Sequence, residues 1–112
     1  MKRLYLSGLI AVAMCAATVA HAEGDKTRGR QLIYTCQGCH GVPGYGNVYP
    51  SYHVPHIAGQ NEQYIVNALK DYRKGFVTPG TGRTHPTMGA QAESLSDKDI
   101  ADIAAYLSSL AK

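Results

Sequence analysis

Apolar positions recur along this chain in three amphipathic stretches, separated by two long segments without any period. The first stretch spans 26–39 and puts Leu32, Ile33 and Cys36 on one side, with Asp25 placed to cap its start. The second spans 62–74, with Asn61 as the cap, Ile65, Ala68, Leu69 and Tyr72 at helical spacing, and Gly75 suited to end it. The third spans 97–111, where Ile100, Ile103, Ala104, Leu107 and Leu110 form a stripe behind the capping-box spacing of Ser96 and Asp99. Between them, residues 41–59 are rich in Gly, Pro and Tyr, and residues 76–95 hold Pro79, Gly80, Gly82, Pro86 and Gly89. Neither segment reads as helix or strand. Structureless runs of this length are uncommon in a compact domain, but they become reasonable when they wrap a large rigid group that supplies the packing they lack. The pattern predicts an all-α domain of three main helices with long loops around a bound group.

Ahead of these stretches lies a different kind of apolar run. Lys2 and Arg3 precede residues 4–19, and Ala20-His21-Ala22 follows with small residues at the spacing of a signal-peptidase site. This three-part layout predicts a secretory signal over 1–22, cleaved before Glu23, and a domain over 23–112 in the periplasm. The run falls short of the ~20 residues of a spanning helix, which counts against a retained anchor. Met14, where a small residue is wanted, and the apolar sequence beyond Cys15 count against lipidation of that cysteine.

Cleavage changes the composition that matters. Lys2 and Arg3 contribute most of the formal net charge of +3, so the exported part is nearly neutral and carries no clustered basic face for nucleic acid. Of three cysteines only Cys36 and Cys39 remain, and of three methionines only Met88. With no Trp and one Phe the core is thin. Domains of this size usually need a disulfide, a metal or a cofactor for stability.

Cys36-Gln37-Gly38-Cys39-His40 supplies the chemistry. Two thiols three residues apart at a helix end can reach the two vinyl groups of one haem, and the adjacent histidine can aim a ring nitrogen at its iron. A thioredoxin-like pair would need a βαβ pattern, which the chain lacks. A zinc site would need a second ligand pair, and only His53 and His56, two residues apart, follow. A simple disulfide is the remaining alternative in an oxidising compartment. For the sixth iron ligand Met88 is the expected residue, since it lies far enough along a Gly/Pro-rich loop to cross the opposite haem face. The alternatives are Met88 as an ordinary core side chain and His85 as the ligand, with His53 and His56 expected to be solvated.

These residues, followed by Gly41, Pro55-His56-Ile57-Ala58-Gly59-Gln60, Tyr64-Ile65, Tyr72-Arg73-Lys74-Gly75, Met88, Leu95 to Ile100 and Ala104 to Leu107, resemble the class I c-type cytochromes. The likeness is to the small soluble periplasmic members and to the repeated domains of bacterial dihaem cytochromes, and it covers nearly all of 23–112. It implies the small cytochrome c fold, one covalent haem c with its iron, and His40 and Met88 as axial ligands. It also implies that the Pro55 carbonyl meets the outer N–H of His40, and that Gly29 lets the last helix approach near Tyr106. Tyr72 and Arg73 are expected either near the haem propionates or on a solvated helix face. Residues 49–54 and 76–82 depart from the usual pattern, which leaves the partner-docking surface open. The function so implied is electron carriage by a monomer that docks transiently on other redox proteins, rather than enzyme catalysis. A gas-binding or peroxidase-like haem protein, or a haem subunit of a larger oxidoreductase, are the alternatives.

Overall fold

Asp25 opens the first helix, its Oδ1 accepting from the N–H groups of Thr27 at 2.9 Å and Arg28 at 3.1 Å. In the computed structural model, which describes residues 24–42 and 54–112, this helix is α1 (Lys26–Leu32). The expected signal segment 1–22 and most of the first long loop, with His53, lie outside the described residues. The single helix expected over 26–39 is in fact two. Ile33, with φ −77° and ψ 0°, closes α1, and α2 (Tyr34–His40) begins directly after it. The Ile33 carbonyl accepts from both Cys36 N at 2.8 Å and Gln37 N at 3.1 Å, so one tightened turn joins the pair. That turn carries Ile33 into the interior, where it is fully buried. Gly41 then ends α2 in the left-handed region, at φ 62°.

α3 (Glu62–Val77) starts where Asn61 Oδ1 accepts from Tyr64 N at 2.9 Å, but it runs past Gly75, where the sequence predicts its end. Gly75 serves another purpose. A Cβ there would lie 2.1 Å from the Arg83 carbonyl oxygen, so the glycine admits the returning loop against the helix side. Thr78, in extended conformation and followed by Pro79, makes the actual stop.

The second long segment is also less irregular than its composition predicts. It contains α4 (Pro86–Glu93), with Pro86 at the first helical position and His85 as N-cap. Proline is tolerated there because that N–H has no intrahelical partner in any case. α5 (Asp97–Ser108) has both halves of the capping box: Asp99 N donates to Ser96 Oγ at 3.1 Å, and Ser96 N donates to Asp99 Oδ2 at 2.8 Å. It ends three residues before the predicted boundary, where Ser109 N and Leu110 N tighten onto Tyr106 O and Leu107 O.

No strand occurs among the described residues, and the helices pack α1 on α5, α5 on α3 and α3 on α4. Gly29 makes the first of these contacts close: a Cβ there would sit 2.0 Å from Asp102 O and 2.9 Å from Tyr106 Cβ. Beside it, Asp102 is the one buried charged side chain among the described residues. Its carboxylate accepts from Asp25 N at 2.8 Å, Arg28 Nη1 at 2.7 Å and Lys98 Nζ at 2.7 Å, and Arg28 also pairs with Asp99. The core is Ile33, Val42, Ile65, Ile103, Ala104 and Leu107. One loop is fastened to it by Gly59 N, which donates to Leu107 O at 2.8 Å.

Candidate functional site

Helix α2 carries Cys36, Cys39 and His40, all half-buried. The two cysteines are not joined to each other as a disulfide. Burial pushes the Cys36 thiol above its ordinary value, against a weaker lowering by Thr35. Among the described residues no three His, Cys, Asp or Glu side chains gather to hold a metal ion, which leaves the zinc alternative without its remaining ligands there.

His40 Nδ1 lies 2.7 Å from the Pro55 carbonyl oxygen. A carbonyl can only accept, so Nδ1 bears the hydrogen and Nε2 of the neutral ring keeps a free lone pair. Cys36, Ile57, Val66, Leu69 and Leu95 pack half-buried against the core. Two cysteines at this spacing, an imidazole with its outer nitrogen tied, and apolar side chains left half-exposed against the core fit a flat, largely apolar group bearing a metal.

The other expected site residues sit on α3 and α4. Met88, half-buried, is the third residue of α4, and its N–H donates to His85 Nδ1 at 3.3 Å. The ring of Tyr72 stands edge-on to that of His85, with centroids 6.3 Å apart. Arg83 lies 5.5 Å from the ring centroids of both Tyr72 and Tyr64. Arg73 has both terminal nitrogens engaged, Nη1 on Leu95 O at 2.8 Å and Nη2 on Asp97 at 2.5 Å, and so ties α3 to the start of α5. The Arg73 guanidinium, with Lys70 nearby, lowers the Asp97 carboxyl below its ordinary value. His56 is exposed beside Pro55. Sequence reasoning missed the bracing by His85 and Arg83. The signal available for His85 was the proline after it, which marks the first turn of a helix.

The sequence profile of the family described as Cytochrome c matches residues 27–111, and the chain belongs to that family, in its class I c-type branch. It is 41% identical over 95 residues to cytochrome c4 of Stutzerimonas stutzeri, a match covering 81% of this chain and 43% of that one. It is 43% identical over 86 residues to cytochrome c-554(548) of Halomonas halodenitrificans, covering 77% of this chain and 96% of that one. The crystal structure of reduced recombinant cytochrome c4 from Pseudomonas stutzeri superposes with a TM-score of 0.68 at 37% identity, covering 79% of this chain and 46% of that one. The chain thus spans less than half the length of the cytochrome c4 relative and nearly all of the shorter one. The all-helical fold is the cytochrome c fold. One covalently bound haem c with its iron is the resident cofactor, and membership implies haem-based electron transfer. No helix among the described residues is long and apolar enough to cross a membrane.

Proposed function

We propose that the chain is exported, loses residues 1–22, and as residues 23–112 carries single electrons between redox proteins of the periplasm. His40 carries this reading: on the helix that carries Cys36 and Cys39, its ring is oriented by the Pro55 carbonyl at 2.7 Å, leaving Nε2 to face a metal. Cys36 and Cys39 would form the two thioethers, and the hydrogen bond to Pro55 would fix the His40 ring and strengthen it as a donor. Met88 would bind on the other side. A thioether opposite a histidine raises the reduction potential. When bound, the haem supplies an iron centre that gains and loses one electron.

With His40 and Met88 both holding the iron, no position would stay open for a substrate. That arrangement suits carriage rather than catalysis. Tyr72 is the candidate for a propionate, whereas Arg73 would reach one only by leaving Asp97 or Leu95. Transient docking as a monomer suits small, weak interfaces. The nearly neutral charge after cleavage predicts a modest salt dependence of docking.

Absorption spectra of the oxidised and reduced holoprotein, beside Met88→Ala, test the reading. The parent is expected to be low-spin with the weak far-red sulfur-to-iron band. Met88→Ala is expected to lose that band, to shift to a lower reduction potential and to bind carbon monoxide when reduced. A high-spin parent, or one that binds carbon monoxide readily, would replace the carrier with the gas-binding or peroxidase-like alternative.

A further inference from the structure

Met88 is the third residue of α4, so its N–H is among the donors that a helix start leaves without a partner. His85 supplies the partner, with Nδ1 accepting at 3.3 Å from an extended backbone at φ −151°. Histidine is not the usual residue for this purpose. Ser, Thr, Asn and Asp present the acceptor on a shorter side chain. What the imidazole adds is a ring that reaches α3: it meets Tyr72 edge-on at 76° and 6.3 Å, and Arg83 holds Tyr72 from its face at 5.5 Å. One residue beyond Met88, α4 closes on α3 a second time. A Cβ on Gly89 would lie 2.8 Å from the Phe76 ring, so only a glycine allows that approach without displacement. The backbone of Met88 is therefore fixed from both sides.

We propose that His85 is a positioning residue for Met88. By accepting the Met88 N–H while braced on Tyr72, it holds the start of α4 in place and limits how often the thioether leaves the iron. This rests on the reading of Met88 as the axial ligand. An added ligand such as imidazole reaches the iron only from the methionine-released form, so its apparent affinity follows the fraction released.

The experiment is an imidazole titration of the oxidised holoprotein, with the far-red band recorded for the parent, His85→Phe and His85→Asn. Phe keeps an aromatic edge toward Tyr72 and removes the acceptor, whereas Asn removes the ring and keeps an acceptor. His85→Phe is expected to bind imidazole about fivefold more tightly than the parent, the ratio corresponding to loss of an ordinary N-cap, and to show a weakened far-red band. His85→Asn is expected to stay within about twofold of the parent, since Asn is among the best capping residues. A His85→Phe protein that matches the parent overturns the proposal, and so does a His85→Asn protein that weakens as much as His85→Phe. A parent without the far-red band overturns Met88 ligation itself, and the proposal with it. Amide hydrogen exchange in the parent gives a check that needs no variant: Met88 N–H exchanging at the rate of a free peptide would overturn the bond to His85.

Discussion

The Gly29→Ala holoprotein is expected to melt roughly 10–20 °C below the parent, the consequence of about 2–3 kcal/mol of overpacking in a domain of this size. The cause is the closeness of α1 to α5. The added methyl would lie 2.0 Å from the Asp102 carbonyl oxygen and 2.9 Å from Tyr106 Cβ. The first of these neighbours is backbone, so no side-chain rotation relieves it and the helices must separate. Separation also lengthens the bonds from Asp25 N and Arg28 to the Asp102 carboxylate, which add to the loss. Gln31→Ala, on the exposed side of α1, serves as the control and is expected to change stability by less than about 0.5 kcal/mol. Melting of Gly29→Ala within a few degrees of the parent would refute so close a helix contact.

Asp102→Ala is expected to cost about 3 kcal/mol, the lower end of the range for breaking a buried ion pair. The lower end applies because Arg28 and Lys98 are partly exposed and regain water when the carboxylate goes, whereas the Asp25 N–H loses its acceptor. The pH dependence follows from the same group. Burial by itself would raise the Asp102 carboxyl, but the hydrogen bonds from Lys98, Arg28 and the Asp25 N–H outweigh it and hold the value at about 2. An unfolded chain titrates near the ordinary carboxylate value, so below pH 4 it binds a proton that the folded chain refuses. The stabilisation is therefore fully present above about pH 4 and is lost as pH falls toward 2. Denaturant titrations between those limits should show a flatter acid slope for Asp102→Asn than for the parent. Some slope persists, since the Ser96 N–H with Arg28 lowers Asp99 and the Arg73 guanidinium lowers Asp97. An unchanged acid slope in Asp102→Asn would mean that this carboxylate is not held as described.

What could be read from the sequence differs by element, for reasons that lie in the residues. Asp25, Asn61 and Ser96 with Asp99 each act through a side chain on its own neighbouring backbone, so their caps are local and legible. The stripe from Ile100 to Leu107 is legible because burial on one side of a helix leaves a period. The break at Ile33 leaves no local mark, since nothing in Leu32-Ile33-Tyr34 forbids a helix, and tertiary burial of Ile33 decides it. Gly75 misleads for the same reason: the backbone it accommodates belongs to Arg83, which periodicity within one helix cannot see. α4 is hidden by Pro86 and Gly89, two residues that lower helix propensity but here start the helix and fit it to α3. In the site, the spacing of Cys36, Cys39 and His40 is contiguous and therefore plain. The bracing of Tyr72, Arg83 and His85 joins different elements and was not.

The bond from Asp25 N to the Asp102 carboxylate spans 77 positions of sequence, and this has a bearing on the order in which the molecule is assembled. A clasp made from two such distant parts cannot fasten until the later one has been delivered. Cys36, Cys39 and His40 come soon after its earlier half, so in a chain that emerges N-terminus first they are presented while α5 has yet to arrive. On the proposed reading of both cysteines as thioether-forming residues, their reaction can therefore begin before the clasp between α1 and α5 is made.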